Sequence, residues 1–267
     1  MAYARSSVYQ LIVSGYDARD YKLVYTASGV EFPKEFELKM RGIKNQGAVG
    51  SCVAHSLSSI IEYYNYTQTG DASEMSVGYI YGNRNTSDHK EPGMIMRDAL
   101  EVVRKYGDVK NDLFPYNREV PEMIELYERQ GKKLFKQGYP NRISQYARVT
   151  SFNAVKAALM AGNPVLMAMC WFADMETDED GVLHTEFKGY DGGHCMFIYG
   201  WDERGWKVQN SWGEDWGKDG CLILPYEMPI EEVWTLTDNI IENTKTKKPH
   251  KCIAKVFNKV SKIFKNK

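Results

Sequence analysis

From Val53 onward, apolar side chains recur at three- and four-residue intervals: Val53, Leu57, Ile60, Ile61 and Tyr64. This period predicts an amphipathic helix. Gly47 and Gly50 suit a tight loop leading into it, and Ser51 is a suitable N-cap. An apolar segment follows at residues 76–81. Gly93 then opens a second periodic stretch through Ile95, Ala99, Leu100 and Val103, which ends at Gly107. Residues 122–135 read as a charged helical segment and residues 152–161 as a further helix. From Arg148 the pattern turns to strands, expected at residues 165–171, 195–200, 206–210 and 221–224. Residues 1–33 are β-rich in composition, with apolar runs at residues 8–13 and 21–25.

Composition narrows the class. A chain of 267 residues that is 43% apolar can bury a sizeable core in one or two domains. The formal net charge of −1 argues against bulk nucleic-acid binding. Residues 244–267 hold nine lysines and no acid, so the first 243 residues carry −10. The longest apolar run, residues 164–173, falls short of the roughly 18 needed to span a membrane. The first residues lack an apolar signal region, so a cytoplasmic location is expected. Five cysteines form no C-x-x-C pair, which points away from a structural zinc site, and neither metal nor cofactor is expected.

Candidate chemistry lies in two segments. One reads Asn45-Gln46-Gly47-Ala48-Val49-Gly50-Ser51-Cys52. The other holds Gly193-His194-Cys195 and then Asn210-Ser211-Trp212-Gly213-Glu214-Asp215-Trp216-Gly217. A thiol at the start of a helix, with a remote histidine and asparagine, is a nucleophile pattern. The thiolate is the reactive form, and a helix N-terminus or an imidazolium partner lowers its pKa. His55, three residues past Cys52, is a local competitor for the base.

At these motifs the chain resembles the papain family of cysteine peptidases, in a bacterial or viral style. The resemblance implies an α+β fold of two lobes. A mainly helical half would cover residues 34–118 and a β-barrel-like half residues 119–243, with the active site in the cleft between them. Phe114-Pro115-Tyr116 is similar to the turn that closes the first half. The resemblance makes Cys52 the nucleophile, His194 the base, Asn210 its orienter and Gln46 an oxyanion donor, with Trp212 shielding the His–Asn bond. The family carries an aromatic residue where His55 stands, so His55 reads as a packing or polar-rim residue. Gly93, Met94, Cys195 and Trp212 fall on the substrate-binding side. Here the chain departs from the family, because Glu91-Pro92-Gly93-Met94 replaces a paired-glycine loop. Val49 stands where secreted relatives carry a disulfide cysteine, which favours a reducing compartment. The implied partner is a peptide or protein substrate.

Residues 1–33 precede the family's usual mature start. A structural extension is the preferred reading and a short pro-segment the alternative. The acidic run at residues 174–181 invites a calcium loop, but Phe187 falls where the bidentate acid belongs, so a solvated hairpin is expected. In the last residues, Cys252, Ile253, Val256, Phe257, Val260, Ile263 and Phe264 fall on one helical face, with lysines opposite. Such a helix suits an anionic membrane surface, a partner, or the acidic body of the chain itself, with self-packing preferred. Two functional rivals remain open: a catalytically silent binding protein on the same fold, and a Cys–His amidase acting on non-protein amides.

Overall fold

The computed structural model describes residues 11–12, 14–15, 17–18, 20–23, 31–84, 92–116 and 120–238. The lysine-rich helix expected at residues 251–267 lies outside the described residues.

The first expected helix is α1, Cys52–Thr69, but it is not amphipathic over its first turns. Every residue from Cys52 to Tyr64 is buried. Small serines let neighbours approach the second face, and partners meet its polar atoms. Ser56 Oγ donates to the Cys195 carbonyl at 3.4 Å and Ser58 Oγ to that of Met75 at 3.0 Å. Glu62 accepts from the Met75 N–H at 2.6 Å and from Lys44 Nζ at 2.7 Å. Buried polar groups persist only when matched in this way.

Helix α2, Val77–Gly82, starts at Ser76, whose hydroxyl accepts from the Tyr79 N–H at 2.9 Å. Helix α3, Met96–Tyr106, ends at Gly107 as its spacing predicts, with Arg104 and Lys105 in the last turn where the macrodipole favours cations. Helix α4, Val120–Arg129, and the short α5, Phe135–Gly138, form the charged segment. Both pack on the helical half, which therefore extends past the boundary expected at residue 118. Met123 and Tyr127 of α4 join Tyr79, Val109 and Phe114 in a second apolar cluster. A Cβ at Gly107 would lie 1.9 Å from the Gly138 carbonyl, and its φ of +70° also favours glycine, so this close approach docks α5.

The strands are β1 Leu11–Ile12, β2 Lys22–Leu23, β3 Phe36–Glu37, β4 Met94–Ile95, β5 Ile143–Val149, β6 Val165–Phe172, β7 Glu176–Thr177, β8 Leu183–His184, β9 Tyr190–Trp201, β10 Gly205–Gln209, β11 Cys221–Pro225 and β12 Glu232–Asp238. Helix α6, Phe152–Met160, precedes β6. One sheet runs β11-β10-β9-β6-β12-β5-β2, with β3 added on β9. The main core fills the space between α1, α3 and this sheet, with Trp201 and Trp234 among its largest members. The acidic run forms the expected hairpin, β7 pairing β8. Asp178 accepts from the backbone N–H groups of Asp180 and Val182, and Asp174 from those of Glu186 and Lys188, so the turn itself uses these carboxylates.

The N-terminal extension belongs to this framework. β1 pairs in parallel with β4, and β2 in parallel with β5. The Ser14 N–H donates to buried Glu232 at 2.7 Å. Asp20 is clamped between Arg97, at 2.6 Å, and Arg148, at 3.1 Å.

Candidate active site

Helix α1 begins at Cys52 and touches β9, which carries His194, so the two segments singled out in the sequence meet at one helix–sheet contact. His194 lies inside β9, four residues past its start at Tyr190, because the strand expected at residues 195–200 begins earlier. Asn210 follows β10 directly, and the antiparallel β9–β10 pairing brings it beside the histidine.

The His194–Asn210 bond has defined polarity. Nε2 lies 2.8 Å from Asn210 Oδ1. A carbonyl oxygen only accepts, so Nε2 carries the proton and Nδ1 is the basic nitrogen. The Ser211 N–H also donates to Oδ1, at 2.7 Å, which fixes the amide. Trp212 stacks on the imidazole with centroids 4.5 Å apart, and Trp171 meets it edge-on at 5.4 Å. These rings cover the bond with apolar surface, the shielding expected of Trp212.

Gln46 is completely buried. Its Oε1 accepts from Ser211 Oγ at 2.6 Å, and Nε2 donates to the Val49 carbonyl at 2.8 Å. Its backbone N–H also donates to the Ser211 carbonyl, at 2.9 Å. The loop before α1 is thus laced to the loop after β10 at both ends of one residue.

Electrostatics depart from the sequence expectation. Cys52 and His194 are both fully buried. Burial pushes the Cys52 thiol up to about 11, although the N–H groups of Cys195, Val53 and Cys52 itself favour the thiolate. Burial likewise pulls His194 down to about 4, against the opposing effect of its bond to Asn210. A helix N-terminus alone therefore does not yield a low-pKa thiol here, because desolvation of a fully enclosed sulfur outweighs the dipole.

Of the residues placed on the substrate side, Trp212 is half-buried and the other three are enclosed. Gly93 and Met94 are buried, and Met94 is paired with Leu11 of the extension. Cys195 lies in the main core, its thiol near the Met196 carbonyl. His55 is 2% exposed, edge-on to Tyr116 at 4.9 Å, as a packing residue would be. Ser51 occupies the N-cap position without capping the helix, its hydroxyl turned to Tyr116 at 2.8 Å. The sequence assigns no site role to Ser211, Trp171 or Tyr116. Ser211 lies within the motif at residues 210–217 and Tyr116 within the turn at residues 114–116, whereas Trp171 reads only as the end of an apolar strand.

Comparisons with known proteins bear on the family and the fold. The chain is 26% identical over 226 residues to a peptidase C1-like protein of Acanthamoeba polyphaga mimivirus, covering 74% of this chain and 71% of that one. It is 27% identical over 215 residues to cathepsin F of Drosophila melanogaster, covering 71% of this chain and 32% of the relative. Among solved structures, xylellain, a cysteine protease from Xylella fastidiosa, superposes with a TM-score of 0.76 at 21% identity, over 89% of this chain and 98% of its own. ProCathepsin B S9 from Trypanosoma congolense gives 0.69 at 19% identity, over 88% and 87%. The family model described as papain family cysteine protease matches residues 32–228, and the chain belongs to that family.

Proposed function

We propose that the chain hydrolyses peptide bonds with Cys52 as nucleophile and His194 as base. The observation that carries this reading is the Nε2–H···Oδ1 bond of His194 to Asn210, 2.8 Å long beneath Trp212, because it makes Nδ1 the proton acceptor. Nδ1 takes the thiol proton as sulfur attacks the carbonyl carbon. The oxyanion draws on the Cys52 N–H and the Gln46 side-chain amide. The imidazolium then protonates the leaving amine as the C–N bond breaks and the thioester remains. Water, deprotonated by His194, cleaves that thioester and restores the thiol. Nothing in the described residues favours the silent-binder or amidase readings over this one.

The test is labelling with an epoxide inhibitor of thiol proteases, followed by mapping of the modified residue. Modification of Cys52 is expected. Modification confined to Cys170, Cys195, Cys221 or Cys252 would sink the assignment.

The extension bears on this reading. An extended substrate would pair with the edge at Met94–Ile95, which Leu11–Ile12 occupies. The segment must therefore move aside, and the Asp20 clamp opposes that movement. Asp20→Ala is expected to speed Cys52 labelling about tenfold, the effect of roughly 1.4 kcal/mol. An unchanged rate would leave the extension purely structural. Burial raises the Asp20 carboxyl, but its bonds to Arg97 and Arg148 outweigh this and hold it below the usual carboxylate range. A depressed folded-state pKa means that the clamp is at full strength above the ordinary value, about 3.9, and fades as pH falls through the lower one. Labelling should accordingly gain from acid pretreatment in the wild type more than in Asp20→Ala.

A further inference from the structure

We propose that Tyr116 is a positioning residue of the oxyanion site: its hydroxyl ties the peptide of Gln46 to Ser51 and so sets the spacing of the two oxyanion donors. This rests on the function proposed above, in which those donors are the Gln46 side-chain amide and the Cys52 N–H. The hydroxyl lies 3.1 Å from the Gln46 carbonyl and 2.8 Å from Ser51 Oγ, and Ser51 immediately precedes the nucleophile.

Counting protons gives the cluster a direction. A carbonyl only accepts, so Tyr116 spends its single proton on the Gln46 oxygen. Ser51 must then donate to Tyr116, which leaves the longer 3.5 Å approach of Ser51 Oγ to the Val49 carbonyl without a proton. His55 Nδ1 lies 3.0 Å from the Ser51 carbonyl and 3.1 Å from Ser51 Oγ, so Nδ1 is the donor there. The bonds run one way, from Ser51 through Tyr116 to the Gln46 carbonyl, with His55 donating to the Ser51 carbonyl beside them. Ser51 is released from helix capping because its hydroxyl is a link in this chain.

The consequence for catalysis is geometric. The far end of Gln46 is held by Ser211 and Val49. The tie from Tyr116 fixes the near end relative to the first turn of α1. Two donors act on one oxyanion only if both meet it at hydrogen-bond distance, and small misplacements lose rate steeply.

Tyr116→Phe keeps the ring and removes the tie. On a fluorogenic peptide amide, normalised by epoxide titration of active sites, kcat is expected to fall about tenfold with KM within about twofold. Alkylation of Cys52 by iodoacetamide forms no oxyanion and should keep its rate. Ser51→Ala should behave alike, and the double variant should cost no more than the larger single loss. Wild-type turnover with undiminished Tyr116→Phe kcat overturns the proposal and leaves the nucleophile assignment standing. Equal losses in kcat and alkylation also overturn it, because the thiol itself would then be disturbed. Failure of the wild type to turn over peptide or take the label refutes the underlying reading instead.

Discussion

Cys52→Ala is expected to remove amide hydrolysis, by at least about 10⁴-fold, while the thermal unfolding midpoint shifts little. Nucleophile and base act as a unit, so His194→Ala should be nearly as damaging and the double variant scarcely worse. His55→Ala should retain activity within about threefold, because Ser51 still reaches Tyr116 at 2.8 Å without it. The two histidines thus separate cleanly. His194 has a partner that fixes its tautomer and two indoles that cover it, whereas His55 packs against Tyr116 beneath the first turn. Turnover of fluorogenic peptides, measured beside thermal unfolding, decides the matter. A dead His55→Ala with an active His194→Ala would reverse the assignment of the base.

The largest stability effect is expected at Glu62. It pairs with Lys44 at 2.7 Å, both side chains only 9% exposed, and accepts the Met75 N–H at 2.6 Å. Glu62→Ala would leave that N–H without its acceptor and the ammonium with only the long 3.5 Å contact to the Met75 carbonyl and the distant Glu74. Breaking one partner of a buried pair typically costs about 3–5 kcal/mol. Little nearby could take over: Glu74 lies 3.6 Å from Lys44 but is mostly exposed, and burial pushes the Asp108 carboxyl up, towards its neutral form. Glu62→Gln keeps an oxygen for the Met75 N–H and should cost less than alanine. Denaturant titration would show the difference as a lowered midpoint. A loss below about 1 kcal/mol for Glu62→Ala would mean that Lys44 swings out to water.

Several features were legible in the sequence because they depend on local spacing. Examples are the helix after Cys52, the stop at Gly107, four of the sheet strands, and the motifs holding Gln46, Cys52, His194 and Asn210. What escaped depends on partners far away in the chain. The serine face of α1 reads as polar until β9 and Met75 supply acceptors. Strands β5 and β12 carry the half-buried Arg148 and the buried Glu232, which argue against buried strands until Asp20 and Ser14 arrive from the extension. Their hydrophobic alternation is thin for the same reason. Ser51 has the right identity and position for a cap, yet a tyrosine 65 residues away claims its hydroxyl. The state of the thiol was unreadable too, because composition carries no record of how completely a helix end is enclosed.

The lacing of Gln46 to Ser211 spans 165 residues. Its consequence is one of timing. During synthesis the nucleophile leaves the ribosome long before the histidine, the asparagine and the serine that complete its surroundings. At about 5–20 residues per second the interval is on the order of ten to thirty seconds. Throughout it the thiol has neither base nor oxyanion amide in place. With the roles proposed above, catalytic competence arrives late, as a by-product of strand order, and a nascent peptidase of this design would spare its own unfolded segments until β10 has joined the sheet.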